Sequence, residues 1–559
     1  MLIAVVCAVA LLLTACGSGK DSGAGGSTQS TGAGSNITVD SSGTPKAGGQ
    51  LVFGLEGETD GFNPTKDRWA ISGTEIGLAV FDPLVAFDAD NTAQPYLAQS
   101  ITPSPDFKEW TITVRPQITF HDGTPLTGAA IATMFNAHLQ SALTRPALAP
   151  IESATATGDL SCVVKMKTPW VTFPDALTSQ LGMVPAPSMF NPDGTPTDKG
   201  GMAPVGTGPF VFKSWSPGQP FDATRNDGYW RKDSAGAQLP YLSSIEFQVI
   251  PDGNTRTSAV RTGDITMTHT SDPQEIVTLR EQAKNGTVQI VEDSGEGEED
   301  FLIVNTQDPA VKDVRVRKAM ALALDRDTYN TTINAGIVED ANSPFKPSSK
   351  WYAATDYPSF DLAAAKQLVD QYTADTGHPP TFTLGTTPTP ANDQASQLLQ
   401  SMFQAAGMKV DIKKTNQNTF VSDAVLGNYQ VNIWRQFGAV DPDSDAQWWY
   451  SANAGDGPSG GLTLNIARNR DPQIDAGLDQ ARQSADQATR KAGYAAVQKQ
   501  FAVDFPYIWT NHAIWAVAAG PQVRGITNGP LPDGQASLPI GGAGDFGGVV
   551  RFTQTWIAS

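Results

Sequence analysis

Near residue 300 the chain changes its hydrophobic rhythm, and this change limits the fold more than any other feature. Before it, from Gly49 to about Thr168 and again from Gly208 to Ile250, apolar residues alternate in short runs separated by turn formers. Residues 50–55 read as one such strand, Trp110, Ile112 and Val114 as the inward face of another, and a further strand is expected to end at Phe120. The His121-Asp122-Gly123-Thr124-Pro125 turn follows, with Thr127 as the N-cap of a helix. After residue 300, strands and amphipathic helices take turns. Strands are predicted at 301–306, 381–385, 409–414 and 430–434, and helices at 311–333, 392–406 and 419–426. The 392–406 helix carries Ala395, Leu398, Leu399, Met402, Phe403 and Ala406 on one stripe and stops at Gly407. Residues 471–503 read as two helices, and 506–520 return as strand. Such alternation predicts a mainly parallel sheet, and two textures in one long chain predict two lobes with a ligand cleft between them.

The N-terminus has its own signature. Residues 2–13 are apolar and uncharged, the length of a signal-peptide core and too short to span a bilayer. Leu13-Thr14-Ala15-Cys16 then looks like a bacterial lipobox, which makes Cys16 the lipidation site. No Lys or Arg precedes the apolar run, so the signal peptide is expected to begin upstream of Met1. Residues 17–45 are rich in Gly, Ser and Thr and read as a flexible tether, because such a segment buries too little surface to offset its ordering entropy. Two or more acyl chains give firm attachment, which places the chain at the outer face of the membrane.

Composition narrows the partners. A net charge of -19 with only 17% charged residues makes nucleic acid a poor partner. The acidic run at 294–300 reads as surface rather than hinge. Of three cysteines, Cys7 lies in the signal and Cys16 is the lipid site. Cys162 is left as a buried small hydrophobe in a strand, and no disulfide is expected.

Several stretches carry a stronger message together than singly: residues 81–131 with their FHDGTPLT turn, GTGPF at 206–210, NDGYW at 226–230, and DPDSDAQWWYS at 441–451. In this order they resemble the family 5 extracellular solute-binding proteins, the oligopeptide, dipeptide and nickel receptors of ABC importers. The resemblance implies a two-lobed α/β fold of the periplasmic-binding-protein type (type II, cluster C-like), with ligand enclosed by hinge closure. It implies a first lobe at 46–297, with an extra subdomain at about 76–205, a second lobe at 298–513, and a return to the first at 514–559. It implies an ABC permease and ATPase as partners, a monomeric receptor, no cofactor, no metal and no catalysis.

The same resemblance suggests where ligand is touched. The turn after the first strand supplies Glu58, Thr59 and Asp60, and the segment closing the second lobe's last parallel strand supplies Trp434, Arg435, Phe437, Gly438 and Asp441; Trp509 joins them. Sheet topology points to the same segment, since ligands gather at the carboxyl ends of parallel strands. Peptide-binding members place an aspartate for the ligand's ammonium where this chain has Gly438. Asp441 or Asp443 could substitute, or the ligand could lack an ammonium. Arg435 would pair with a ligand carboxylate or phosphate, or equally with Asp441 or Asp443. Peptide is therefore the first ligand class expected, an oligosaccharide stacked on tryptophans or an acidic small molecule the second.

Competing motifs fail. The acidic loop from Asp441 lacks Gly at its sixth position and Glu at its twelfth, which rejects an EF-hand. Residues 542–547 fit G-x-G-x-x-G but have too little chain after them for a βαβ unit. No H-E-x-x-H occurs, which leaves an extracytoplasmic hydrolase as a weak alternative, beside a surface sensor on the same fold.

Overall fold

The computed structural model describes residues 37–559 apart from 68, 294, 296, 297, 458, 460, 544, 545 and 559. Cys16 and the lipobox thus lie outside the described residues, as does most of the expected tether. Pairing begins at Ile37–Thr38 rather than at residue 46: this short strand joins the sheet edge opposite Val291 and Ile290, and Asp40 binds Arg524 at 2.5 Å.

Two large sheets divide the chain. The first has eight strands, in the spatial order Ile37–Thr38, Gln289–Asp293, Trp515–Ala519, Met267–Thr270, Gln50–Leu55, Ser244–Val249, Phe221–Arg225 and Phe210–Ser214. Gln50–Leu55 runs parallel to both of its neighbours. The second has six, in the order Glu339–Asp340, Tyr507–His512, Glu299–Val304, Val431–Gln436, Thr381–Thr386 and Lys409–Lys414. Each sheet buries its own apolar cluster. The expected helix at 311–333 is two, Val314–Ala323 and Arg326–Ile333, because Asp325 caps the second one by accepting from Thr328. The 471–503 region likewise splits into Pro472–Gln483 and Gln487–Asp504.

The second sheet is not mainly parallel. Only Thr381–Thr386 runs parallel to its neighbours; the remaining pairings are antiparallel. The cause is Glu299–Val304, which enters from the first lobe and inserts centrally, opposed in direction to the strands on both sides. The chain returns beside this entry. Ala513 donates its amide to the Glu298 carbonyl at 2.7 Å, so the two crossings are hydrogen-bonded to each other.

Within the first lobe a separate antiparallel sheet, in the order Ala98–Pro103, Glu109–Val114, Ser161–Met166 and Ile151–Ala156, packs with helix Gly128–Gln140 on a third core. Thr127 caps that helix through the Ala130 amide at 3.3 Å. No strand ends at Phe120. Left-handed Gln117 and Gly123 tighten this stretch into turns, with a single bridge between Thr119 and Pro125. Cys162 is buried in its strand, and burial pushes its thiol up to about 11.

The motifs that identify the fold converge on one buried carboxylate. Asp82 accepts from Tyr229 Oη at 2.8 Å and from Trp230 Nε1 and Thr207 Oγ1, each at 2.9 Å. Tyr229 and Trp230 belong to NDGYW and Thr207 to GTGPF. His121 of FHDG closes the ring, its Nε2 lying 3.0 Å from the Gly208 carbonyl. A Cβ on Gly206 would meet the Val80 carbonyl oxygen at 2.2 Å, which explains a glycine there. Burial pushes the Asp82 carboxyl up to about 6 despite these donors. Replacing it by Ala orphans three buried donors, and Asp82→Ala should cost about 3–5 kcal/mol. Urea unfolding checks this figure; a loss below about 1 kcal/mol would mean that water replaces the carboxylate without penalty.

Candidate functional site

Parallel strands Gln50–Leu55 and Met267–Thr270 of the first lobe end side by side, delivering Glu56 and Ser271 to one edge. Against this edge the second lobe brings the end of Val431–Gln436. Arg435 lies opposite Asp300 in antiparallel register, so the two share a face. Its guanidinium sits 3.4 Å from Glu298 and 3.7 Å from Glu56, and hydrogen-bonds the Ser271 hydroxyl. The same group stacks 4.7 Å over the Trp515 ring, while Trp515 Nε1 donates to Glu298 at 2.7 Å. One cation thus ties together the first lobe, the second lobe and both crossings.

This overturns two expectations. Glu298 and Glu299, part of the acidic run, are buried at the crossing rather than spread on the surface. Arg435 pairs with neither Asp441 nor Asp443. Asp441 is held by Arg490, whose Nη2 lies 2.7 Å from both carboxylate oxygens. Asp443 is held by Arg482 Nε at 2.7 Å, and by Trp170 Nε1 and Thr172 Oγ1, each at 2.6 Å. Asp445 accepts from the Ala439 amide at 3.2 Å, bracing the strap that follows the strand.

Electrostatics in this region favour positive charge. Burial pushes Glu298 up to about 7, with Glu56 and Asp300 adding to the rise and Arg435 opposing it. Burial also raises Asp300, against Arg435 and the Asn511 amide. Glu56 feels burial too, but Arg435, His269 and Arg256 outweigh it and its carboxyl is lowered. A third of the Glu56 side chain and 29% of Arg435 remain exposed, so water still reaches the pair. On the other face of the strap, Asp175 is raised well above the ordinary range by burial and by the neighbouring Asp441.

The remaining predicted residues fall in separate places. Glu58 accepts from the Gly218 amide at 2.6 Å, and with Thr59 it rims a shallow crevice lined by Phe62, Trp215, Phe221 and Phe247. Asp60 is exposed beside them. Trp434 is partly exposed and stacks on Phe420 with ring centroids 5.5 Å apart. Phe437, with φ 75°, lies flat on Phe301 at 5.0 Å, and Trp509 packs against Phe301 and Tyr507 in the same aromatic core. Gly438 is buried between Phe437 and the strap. Sequence reasoning missed Glu56, Ser271, Glu298, Asp300 and Trp515 as one cluster. The only available signal was the turn position of Glu56, immediately before Glu58. Among the described residues, no three His, Cys, Asp or Glu side chains gather as a metal site.

Residues 92–458 match the model of the bacterial extracellular solute-binding proteins, family 5 (middle region), which is well over half of the chain. The chain belongs to this family. Family 5 proteins are binding proteins, and this one is a two-lobed solute receptor. It is 26% identical over 523 residues to Protein XP55 of Streptomyces lividans, covering 88% of this chain and 90% of the relative. The periplasmic binding protein AgaA of A. tumefaciens R10, solved with agropinic acid, superposes with a TM-score of 0.78 at 24% identity. That match covers 91% of this chain and 99% of AgaA. DppA of Helicobacter pylori, solved with the peptide STSA, superposes with a TM-score of 0.77 at 22% identity, over 92% and 99% of the two chains.

Glu298 gives the receptor a pH signature. Its folded value of about 7 lies above its ordinary 4.5, so the folded state binds the extra proton and its contribution to stability declines as pH rises from 4.5 through 7. Relative to Glu298→Gln, the natural chain should lose up to about 3 kcal/mol over that window. Denaturant unfolding of both at several pH values reads the difference; parallel curves would refute it.

Proposed function

We propose that this family 5 receptor serves an ABC importer, is held at the outer face of the cell membrane by lipid on Cys16, and closes on peptides for delivery to permease and ATPase subunits. The observation that carries the ligand class is the environment of Arg435. Glu298, Glu56 and Asp300 surround one guanidinium, so the cleft holds more carboxyls than cations. An incoming carboxylate would compete with these residues for Arg435, whereas an ammonium relieves their mutual repulsion. This replaces the family aspartate absent at Gly438, and it supports the peptide reading over the acidic small molecule. At the crevice rimmed by Glu58 and Thr59, the partly exposed Trp215 is the apolar surface open to a ligand side chain. The peptide STSA bound to DppA is consistent with this class on the same fold. An oligosaccharide would use Trp434, whose ring is already stacked on Phe420.

Closure works by differential contact: the receptor transmits occupancy because ligand touches both lobes only in the closed form. No transferred bond is required, and the receptor acts as a monomer.

A panel of free and N-acetylated short peptides, titrated by calorimetry into protein lacking residues 1–36, which keeps the Ile37–Thr38 strand, tests the reading. Free peptides should bind at least about tenfold tighter than their acetylated forms, corresponding to about 1.4 kcal/mol. Glu56→Gln should shrink that ratio without changing the fold. Equal affinities would remove the ammonium from recognition, and binding of carboxylates or sugars alone would replace peptide as the ligand class.

A further inference from the structure

A second bridge joins the lobes away from Arg435, and it involves neither Glu56 nor the aromatic crevice. Asp443 lies on the short helical turn Pro442–Ser444 of the second lobe, five residues after Gly438. Its Oδ2 accepts from Trp170 Nε1 and Thr172 Oγ1 of the extra subdomain, each at 2.6 Å. Its Oδ1 accepts from Arg482 Nε at 2.7 Å, on helix Pro472–Gln483 of the second lobe. Two further contacts cross the same seam. The Val171 amide donates to the Arg482 carbonyl at 3.1 Å, and the Arg482 guanidinium lies 5.4 Å over the Trp170 ring. Asp443, Arg482, Trp170 and Thr172 are all buried.

We propose that Asp443 is an interlobe latch, which stabilises the closed form through contacts that no ligand makes and couples the ligand-side strap to the extra subdomain. Three observations carry this. First, the latch joins segments on opposite sides of the crossings, so a lobe rotation that parts this seam must break it. Second, its hydrogen bonds are short, directional and made to a charged acceptor, the strong class of such bonds. Third, the strap is one continuous stretch: Phe437 and Gly438 at its start, Asp441 fixed by Arg490, Asp443 in the latch, and Asp445 tied back to Ala439. A shift of the strap on ligand binding therefore moves the acceptor of the latch. Arg482 keeps Asp443 neutralised when the lobes part, so opening does not strand a lone charge.

The proposal predicts that the ligand-free protein populates the closed form substantially and that weakening the latch opens it. Small-angle X-ray scattering of the ligand-free chain, with its unfolding midpoint and circular dichroism, provides the test. Thr172→Val removes one donor at nearly constant shape; it should lower the closed-to-open ratio about tenfold and raise the radius of gyration, with an unchanged midpoint. Trp170→Phe should act in the same direction. If either variant lowers the midpoint, a cycle with Asp443→Asn decides: coupled effects on the radius support the latch, and additive effects overturn it. A wild type already open without ligand, or a Thr172→Val profile superimposable on a closed wild type, also overturns it. These outcomes do not depend on which solute the cleft takes, so they fail or succeed separately from the peptide reading.

Discussion

Everything that lets this molecule enclose a solute depends on how two chain crossings meet at Glu298. The backbone carbonyl of Glu298 accepts from Ala513, and its carboxylate accepts from Trp515. The outgoing and returning strands are thereby held as one narrow connection between two independently cored sheets. A narrow connection permits rotation of the lobes while forbidding their separation. The carboxylate adds a second role, for it also lies 3.4 Å from Arg435, which comes from the far lobe. The element that limits motion is thus also the element that feels closure.

Placing charge here is costly, and the structure offsets that cost by dividing the carboxylates into two groups. On the strap, Asp441 and Asp443 each have a dedicated arginine from the downstream helices. These pairs are buried, so removing one partner would strand a charge, and they function more as registers for the strap than as net stabilisers. At the crossing, by contrast, Glu56, Glu298 and Asp300 share Arg435. Burial is the main reason that Glu298 and Asp300 are raised, with Glu56 and Asp300 adding to the rise at Glu298 and Arg435 opposing it at both. The first group gives rigidity and the second leaves an unmet demand for a cation.

Much of this was legible in the sequence, and the reasons differ from element to element. Strand Lys409–Lys414 and the Thr127 cap followed from local pattern because local burial and local hydrogen bonding decide them. The Asp82 knot explains why FHDG, GTGPF and NDGYW identify the family: each supplies a partner to one buried cluster, so the motifs are constrained jointly. The parallel sheet was misread because a strand's direction depends on where the chain enters the sheet, and Glu299–Val304 enters from the other lobe. The partners of Asp441 and Asp443 were invisible for a related reason. Arg490 and Arg482 look like ordinary surface residues of amphipathic helices until the helices pack. Glu298 likewise reads as solvated until Trp515 and Arg435 close over it.

Fold identity and ligand identity are therefore held by different parts of the molecule. The Asp82 knot lies in the first lobe and touches none of the residues around Arg435, so the cleft could change while the scaffold stayed fixed. Gly438 illustrates that freedom. It sits on a strap already secured by Phe437 in the aromatic core and by Arg490 and Arg482 below, so the strap does not need a charged side chain there to keep its shape. A recognition charge lost at that position can be supplied from Glu56, Glu298 or Asp300 without refolding anything, because those residues are anchored by strand ends and by the crossing. Under the peptide reading proposed above, specificity is tuned by how many carboxylates share Arg435, rather than by rebuilding the strap.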